Sequence, residues 1–186
     1  MKILIRTKAA PEARTGSFSI APMRIKVPSR PLRILDFDVE ARPLHWISGD
    51  YVSKEITAIA WAWVERPEDV EVVLLGQVEA PDMLEQFRRA YNQADIVTGH
   101  FIRGYDLPMV NGSLTEYCLS PLEDKMSHDT KLDLLKRMGL SGSQENLGTM
   151  LGLTHPKIKM DQKRWRTANR LHEDSFALTR ERVVGD

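Results

Sequence analysis

Residues 33–40 read Arg-Ile-Leu-Asp-Phe-Asp-Val-Glu, an apolar run that ends in two carboxylates, Asp38 and Glu40, one residue apart. Residues i and i+2 of a strand share a face, so in a strand both acids project together near its end. Carboxylates held that close repel each other unless a cation sits between them. A hard divalent ion, Mg²⁺ or Mn²⁺, is the natural partner, because it prefers carboxylate oxygens and retained waters. The other reading is an exposed acidic strand end.

The pattern around this stretch predicts a mixed sheet. Residues 33–39 are strand one. Residues 41–54 make a polar connection, and residues 55–64 form a strand apolar on both faces, as a covered central strand is. Trp61 and Trp63 belong to the core in this reading. Arg66-Pro67-Glu68-Asp69 reads as a turn into a third strand over 70–76, completing an antiparallel meander. A helix follows over 81–93, with Met83, Leu84, Phe87, Ala90, Tyr91 and Ala94 on one stripe and Pro81 in its first turn. Residues 95–99 are a short strand, parallel to strand one because a helix precedes it. Residues 100–108 open a helix that runs through 114. Residues 127–130 are extended, and Thr130 with Asp133 resembles a capping box for a helix with Leu132, Leu135 and Met138 on its apolar side, stopped by Gly139. Ser143 caps a short helix carrying Leu147, Met150 and Leu151, closed by Gly152. Residues 154–170 read as a basic loop, and 173–186 as a last helix. The expected class is α/β, a mixed sheet with helices on both faces.

Composition bounds the rest. The 186 residues, 42% hydrophobic and 28% charged, suit one soluble globular domain. It is expected over 33–186, after an irregular appendage over 1–32 that holds Pro11, Pro22, Pro28 and Pro31 and short apolar alternations at 18–20 and 23–27. No apolar run approaches the ~20 residues of a membrane helix, and the opening is too short in apolar residues for a signal peptide. The Arg content of the leader permits a transit peptide, against which its strand-like start and prolines argue, so a cytoplasmic location is expected. The single Cys118 rules out an internal disulfide and a thiolate zinc cluster; it reads as a small buried residue. Net charge is zero, yet residues 1–33 carry eight Lys or Arg against Glu12 alone, leaving the remainder at −7. Such an arm suits a polyanionic partner or is a solvated leader. The chain lacks His-Glu-x-x-His, Gly-x-Ser-x-Gly and Gly-x-x-x-x-Gly-Lys, the signatures of zinc proteases, serine hydrolases and phosphate-binding loops.

Further carboxylates complete a set. Asp106 opens a helix after strand four, the expected neighbour of strand one, and Asp186 lies on the last helix. Asp38, Glu40, Asp106 and Asp186 come from separate elements and can converge on two divalent ions, as phosphoryl-transfer sites do. Asp106 is otherwise a helix N-cap, Asp129 is read as one, and Asp186 is otherwise a charged end.

The sequence resembles the DEDD superfamily of 3′–5′ exonucleases, on the ribonuclease H-like fold, over about residues 33–186. The proofreading domains of family-B DNA polymerases and phage relatives are the nearest flavour. Phe37-Asp38-Val39-Glu40 is similar to the first motif. Ala94-Asp95-Ile96-Val97-Thr98-Gly99-His100 with Gly104-Tyr105-Asp106-Leu107-Pro108 is similar to the second, and His128-Asp129-Thr130 to a segment that introduces a helix. Residues 143–153 with Lys159 resemble the region before the third motif.

The resemblance implies a mixed five-stranded sheet and a magnesium- or manganese-dependent nuclease of DNA replication or repair. It would release nucleoside 5′-monophosphates from the 3′ end of single-stranded DNA, RNA not being excluded. Asp38 would bridge both ions, Glu40 and Asp186 would complete one, and Asp106 would support the second. Phe101 and Tyr105 lie beside the second motif, where they either stack a terminal base or serve as core aromatics; the basic stretch 157–170, which includes Lys159, the leader and Arg182 are the candidates to hold phosphate.

Two positions depart from the pattern. Phe101 stands where Asn is common. Arg182 and Glu181 stand where a Tyr four residues, or a His five residues, before the last Asp is usual; arginine stays protonated and is no base. Asp161 and Asp174 are the substitutes for Asp186. The alternative function is a non-catalytic nucleic-acid-binding module on the same fold, and a third reading is a protein-interaction domain with vestigial acids.

Overall fold

The computed structural model describes residues 30–44, 52–153 and 157–185. The short strands expected at 18–20 and 23–27 lie outside these residues, as does Asp186. The chain divides into two units, Met1–Arg30 and Pro31–Asp186, and the second carries the sheet.

β1 (Ile34–Pro43), β2 (Lys54–Trp63) and β3 (Arg66–Leu74) form an antiparallel meander. β4 (Ile96–Gly99) runs parallel to β1, and β5 (Met126–Asp129) parallel to β4. The five strands lie in the order β3-β2-β1-β4-β5. The mixed sheet is the one the sequence pattern predicts, with β1 at its centre.

β1 sorts its side chains by the period of two. Leu35, Phe37 and Val39 are buried on one face, which leaves Asp36, Asp38 and Glu40 on the other. α1 (Ala80–Gln93) covers the apolar face with Met83, Leu84, Phe87 and Tyr91. The Phe87 ring sits 5.0 Å from Phe37, 5.8 Å from Trp61 and 5.9 Å from Tyr91 between centroids, tilted contacts favoured by aromatic quadrupoles. Trp61 and Trp63 are core residues, as expected. α2 (Asp106–Glu116) adds Val110 and Leu114. On the opposite face, α5 (Glu173–Val184) packs Val183 and Phe176 against Ala58, Ala60 and Leu74 of β2 and β3. Small alanines there let the helix approach the sheet closely.

Several local readings change. The turn expected at 66–69 lies at 64–65, and Arg66 already pairs with Trp63; Pro67 is accommodated because β3 is an edge strand. The basic loop contains a helix, α4 (Gln162–Ala168), which follows α3 (Gln144–Leu151). α4 buries only Ala168, so no apolar period announces it. Residues Thr130–Leu135 form a π-helical turn rather than an α-helix. Its cap is Asp129, and Asp133 accepts from the Asp129 N–H at 2.9 Å. Leu135 is buried there, whereas Met138 is exposed. Cys118, expected inside, is exposed just past α2. Ser143 caps α3 through the Asn146 N–H, and Gly152 ends it at φ +67°, both as read from the sequence.

Candidate active site

β1 delivers Asp38 and Glu40 to the floor of a cleft of about 630 Å³. A register shift against β2 falls just after Glu40, and the Thr57 hydroxyl donates to the Glu40 carbonyl at 3.1 Å. Such irregularities re-aim side chains beside functional sites. Asp106, the first residue of α2, reaches the same floor. Its Oδ1 accepts from the Val39 N–H at 3.1 Å, which binds the helix start between the two β1 acids. Asp106 is 2% exposed and Glu40 8%. Three of the four carboxylates singled out in the sequence therefore line one cleft. Among the substitutes for Asp186, Asp161 caps α4 by accepting from the Arg164 N–H at 2.7 Å, and Asp174 is exposed in the first turn of α5.

Glu40 has an internal partner. Arg182, near the end of α5, donates from Nε to Glu40 Oε1 at 2.8 Å and from Nη1 to the Ile158 carbonyl at 2.7 Å. It is 9% exposed.

The cleft wall is basic and aromatic. Lys54 Nζ lies 4.2 Å from the Tyr105 ring centroid and donates to its hydroxyl at 2.9 Å. Lys131 Nζ lies 3.9 Å over the Phe101 ring. These are cation–π distances. Phe101 takes φ +67°, a left-handed conformation that a bulky residue adopts only when its surroundings impose it. Two features impose it here. A Cβ on Gly104 would come within 2.4 Å of the Phe101 ring, so only glycine leaves room for that ring. The wholly buried Asp129 accepts from the Phe101 and Arg103 N–H groups at 3.0 and 3.1 Å. Asp129 thus clamps this loop as well as capping the π-helical turn, a role that its N-cap context alone does not reveal.

Lys159 does not line the cleft; it is exposed, and its carbonyl accepts from Arg164 at 2.7 Å. Lys157, Trp165 and Asn169 line it instead. Arg42 of β1 donates to the Asn169 carbonyl at 2.9 Å, which ties the end of α4 to the sheet. Lys157 belongs to the basic stretch that the sequence marks for phosphate contact, whereas Lys54 and Lys131 were passed over because nothing local separates a cleft lysine from a surface one.

His100 bridges two segments. Its Nδ1 is 3.0 Å from the Thr130 hydroxyl and its Nε2 3.1 Å from the Gly142 carbonyl. Burial holds its pKa below the ordinary value, aided by Lys131 and Lys157 and opposed by the Gly142 carbonyl. The unfolded chain therefore takes up this proton first, so stability is highest above ~6.5 and declines as pH falls through the unfolded histidine range. Melting curves at pH 7.5 and 5.5 should show a larger acid-induced drop for the wild type than for His100→Gln.

The donor set of the floor is oxygen only, the type that Mg²⁺ and Mn²⁺ select. Among the described residues, no three His, Cys, Asp or Glu side chains are drawn together into a ready metal cage. The floor suits a hard ion by its chemistry, with one oxygen of Glu40 engaged by Arg182 and one of Asp106 by Val39.

No family model and no curated protein matches the chain. Among solved structures, it is similar to the family B DNA polymerase from the hyperthermophilic archaeon Pyrobaculum calidifontis, with a TM-score of 0.62 and 14% identity. The match covers 83% of this chain and 23% of the polymerase, so the chain spans under a quarter of that protein's length. Among the described residues, no helix is long and apolar enough to cross a membrane. The sheet order and the helices on both faces, together with this likeness to part of a DNA polymerase, define a ribonuclease H-like fold.

Proposed function

We propose that the chain is a metal-dependent 3′–5′ exonuclease that hydrolyses the terminal phosphodiester of single-stranded DNA and releases nucleoside 5′-monophosphates. The observation that carries this reading is the meeting of Asp38, Glu40 and Asp106 on the floor of one cleft walled by lysines and aromatic rings. A buried acidic floor would repel a phosphodiester unless a cation neutralised it. Asp38 and Asp106, with Glu40 beside them, would hold Mg²⁺ or Mn²⁺. When bound, the ion would acidify water and offset charge on the phosphoryl oxygens. The chain's own residues would do the rest. Lys54, Lys131 and Lys157 attract the phosphate backbone, and Phe101 and Tyr105 offer faces for the terminal base, a contact usually worth ~1–3 kcal/mol. The likeness to part of a DNA polymerase supports nucleic acid as the substrate class.

The Arg182–Glu40 pair favours a second reading, a non-catalytic nucleic-acid-binding module, because a guanidinium holds one of the acids. A 5′-labelled single-stranded oligonucleotide separates the two. Incubation with Mn²⁺ should produce a ladder shortening from the 3′ end, abolished by EDTA. Salt-sensitive binding without any cleavage would replace the exonuclease with the module.

A further inference from the structure

We infer that a second pocket, which adjoins the cleft at Lys54 and Tyr105, receives the base of the second nucleotide from the 3′ end, and that Gly112 keeps it open. The inference rests on the exonuclease reading above and extends it from the cleft to the strand behind it. The pocket holds about 360 Å³, within the ~300–1,000 Å³ of small-molecule sites. Lys54 and Tyr105 line both it and the cleft, so the two spaces share that pair as a wall. Tyr105, Pro108, Met109 and Gly112 line it at the three- and four-residue spacing of one helical stripe, while Val110 and Leu114 of α2 are buried in the core. Val52 stands opposite Gly112. These walls are largely apolar, as the face of a base requires. The Lys54 ammonium, 2.9 Å from the Tyr105 hydroxyl, is the cation at the shared edge, where the phosphate that links the two nucleotides would pass. Gly112 lies inside α2, where glycine costs helix stability and packs nothing. Its helical backbone suits any residue. Among the described residues, a Cβ there would meet only Val52 Cγ1, at 3.7 Å, an ordinary contact. Neither backbone conformation nor crowding calls for glycine at this position. What the missing side chain does is leave the pocket its depth.

The test sets a filled pocket against a strand with nothing to put in it. Single-stranded oligonucleotides, complete or abasic at the second position from the 3′ end, are digested by the full chain in Mn²⁺, and KM and kcat are read for release of the terminal nucleotide. On wild type the abasic strand should show KM raised ~10-fold, the scale of one lost base contact, with the change in KM rather than in kcat. Gly112→Leu should raise KM for the complete strand by about as much and add no further penalty on the abasic strand, because both changes delete the same contact. Melting curves show whether the variant is folded. Should it fail to fold, Val52→Phe fills the pocket from the opposite wall and carries the same expectation. Equal KM for the two strands on wild type, or penalties that multiply to ~100-fold in the combination, would overturn the inference while leaving the exonuclease reading intact. No cleavage of either strand by wild type would remove both.

Discussion

Cleavage by Asp106→Asn should fall about 10³-fold or further, the scale of removing one preorganised charged group from a buried site, with the fold unchanged. The substitution separates the two jobs of this carboxylate. Its Oδ1 accepts from the Val39 N–H at 3.1 Å, joining α2 to β1. Asparagine keeps a carbonyl oxygen for that bond while it removes the negative charge and turns the second oxygen into an NH₂ donor. Asp106 is 2% exposed, so bulk water cannot replace the lost charge. The melting temperature should therefore stay within ~5 °C of wild type, since one preserved hydrogen bond leaves at most a small stability change in a domain of this size. Single-turnover digestion in Mn²⁺, read with a melting curve on the same sample, tests both halves. Cleavage retained at the wild-type rate would sink the assignment of Asp106 to the metal. A loss of both activity and fold would mark it as structural.

The second large effect is on stability. Asp129→Ala should destabilise the chain by about 4 kcal/mol, because each buried donor left without its acceptor costs ~1–3 kcal/mol. The carboxylate accepts from four backbone N–H groups: Phe101 at 3.0 Å, and Arg103, Lys131 and Leu132 at 3.1 Å each. It is wholly buried, so water cannot reach the orphaned donors without opening the structure. At ~2–4 °C per kcal/mol for a domain of this size, the melting temperature should fall by ~8–16 °C. Asp129→Asn should cost less. Its oxygen can replace Oδ1, which serves three of the four donors, while its NH₂ must face the Arg103 N–H. Because Asp129 holds Phe101 in its left-handed conformation, DNA affinity should weaken along with stability. A melting temperature within ~2 °C of wild type would show that the clamp is dispensable.

Much of this architecture was legible in advance, for reasons that lie in particular residues. The alternation Leu35-Asp36-Phe37-Asp38-Val39 states which side of β1 is apolar. The stripe Met83-Leu84-Phe87-Tyr91 states what covers it. Ser143 and Gly152 mark helix ends through one side-chain bond and one left-handed residue. All of these are short-range effects, and the residues involved carry them wherever the chain goes. α4 was hidden because its contacts are with other elements and it buries one alanine. The π-helical turn was hidden because Asp129 gathers donors from two segments at once.

The sequence by itself determined that Asp38 and Glu40 leave β1 on one face, because the strand period allows nothing else, and that Asp106 opens a helix after β4. Only the tertiary structure decided what stands against them. It brought Arg182 onto Glu40 from 142 positions away, put Lys157 rather than Lys159 into the cleft wall, and set Lys131 over Phe101. Periodicity and capping are local and can be read along the chain. The charge facing a given carboxylate depends on how helices dock on the sheet, and docking is decided by packing between residues far apart in sequence.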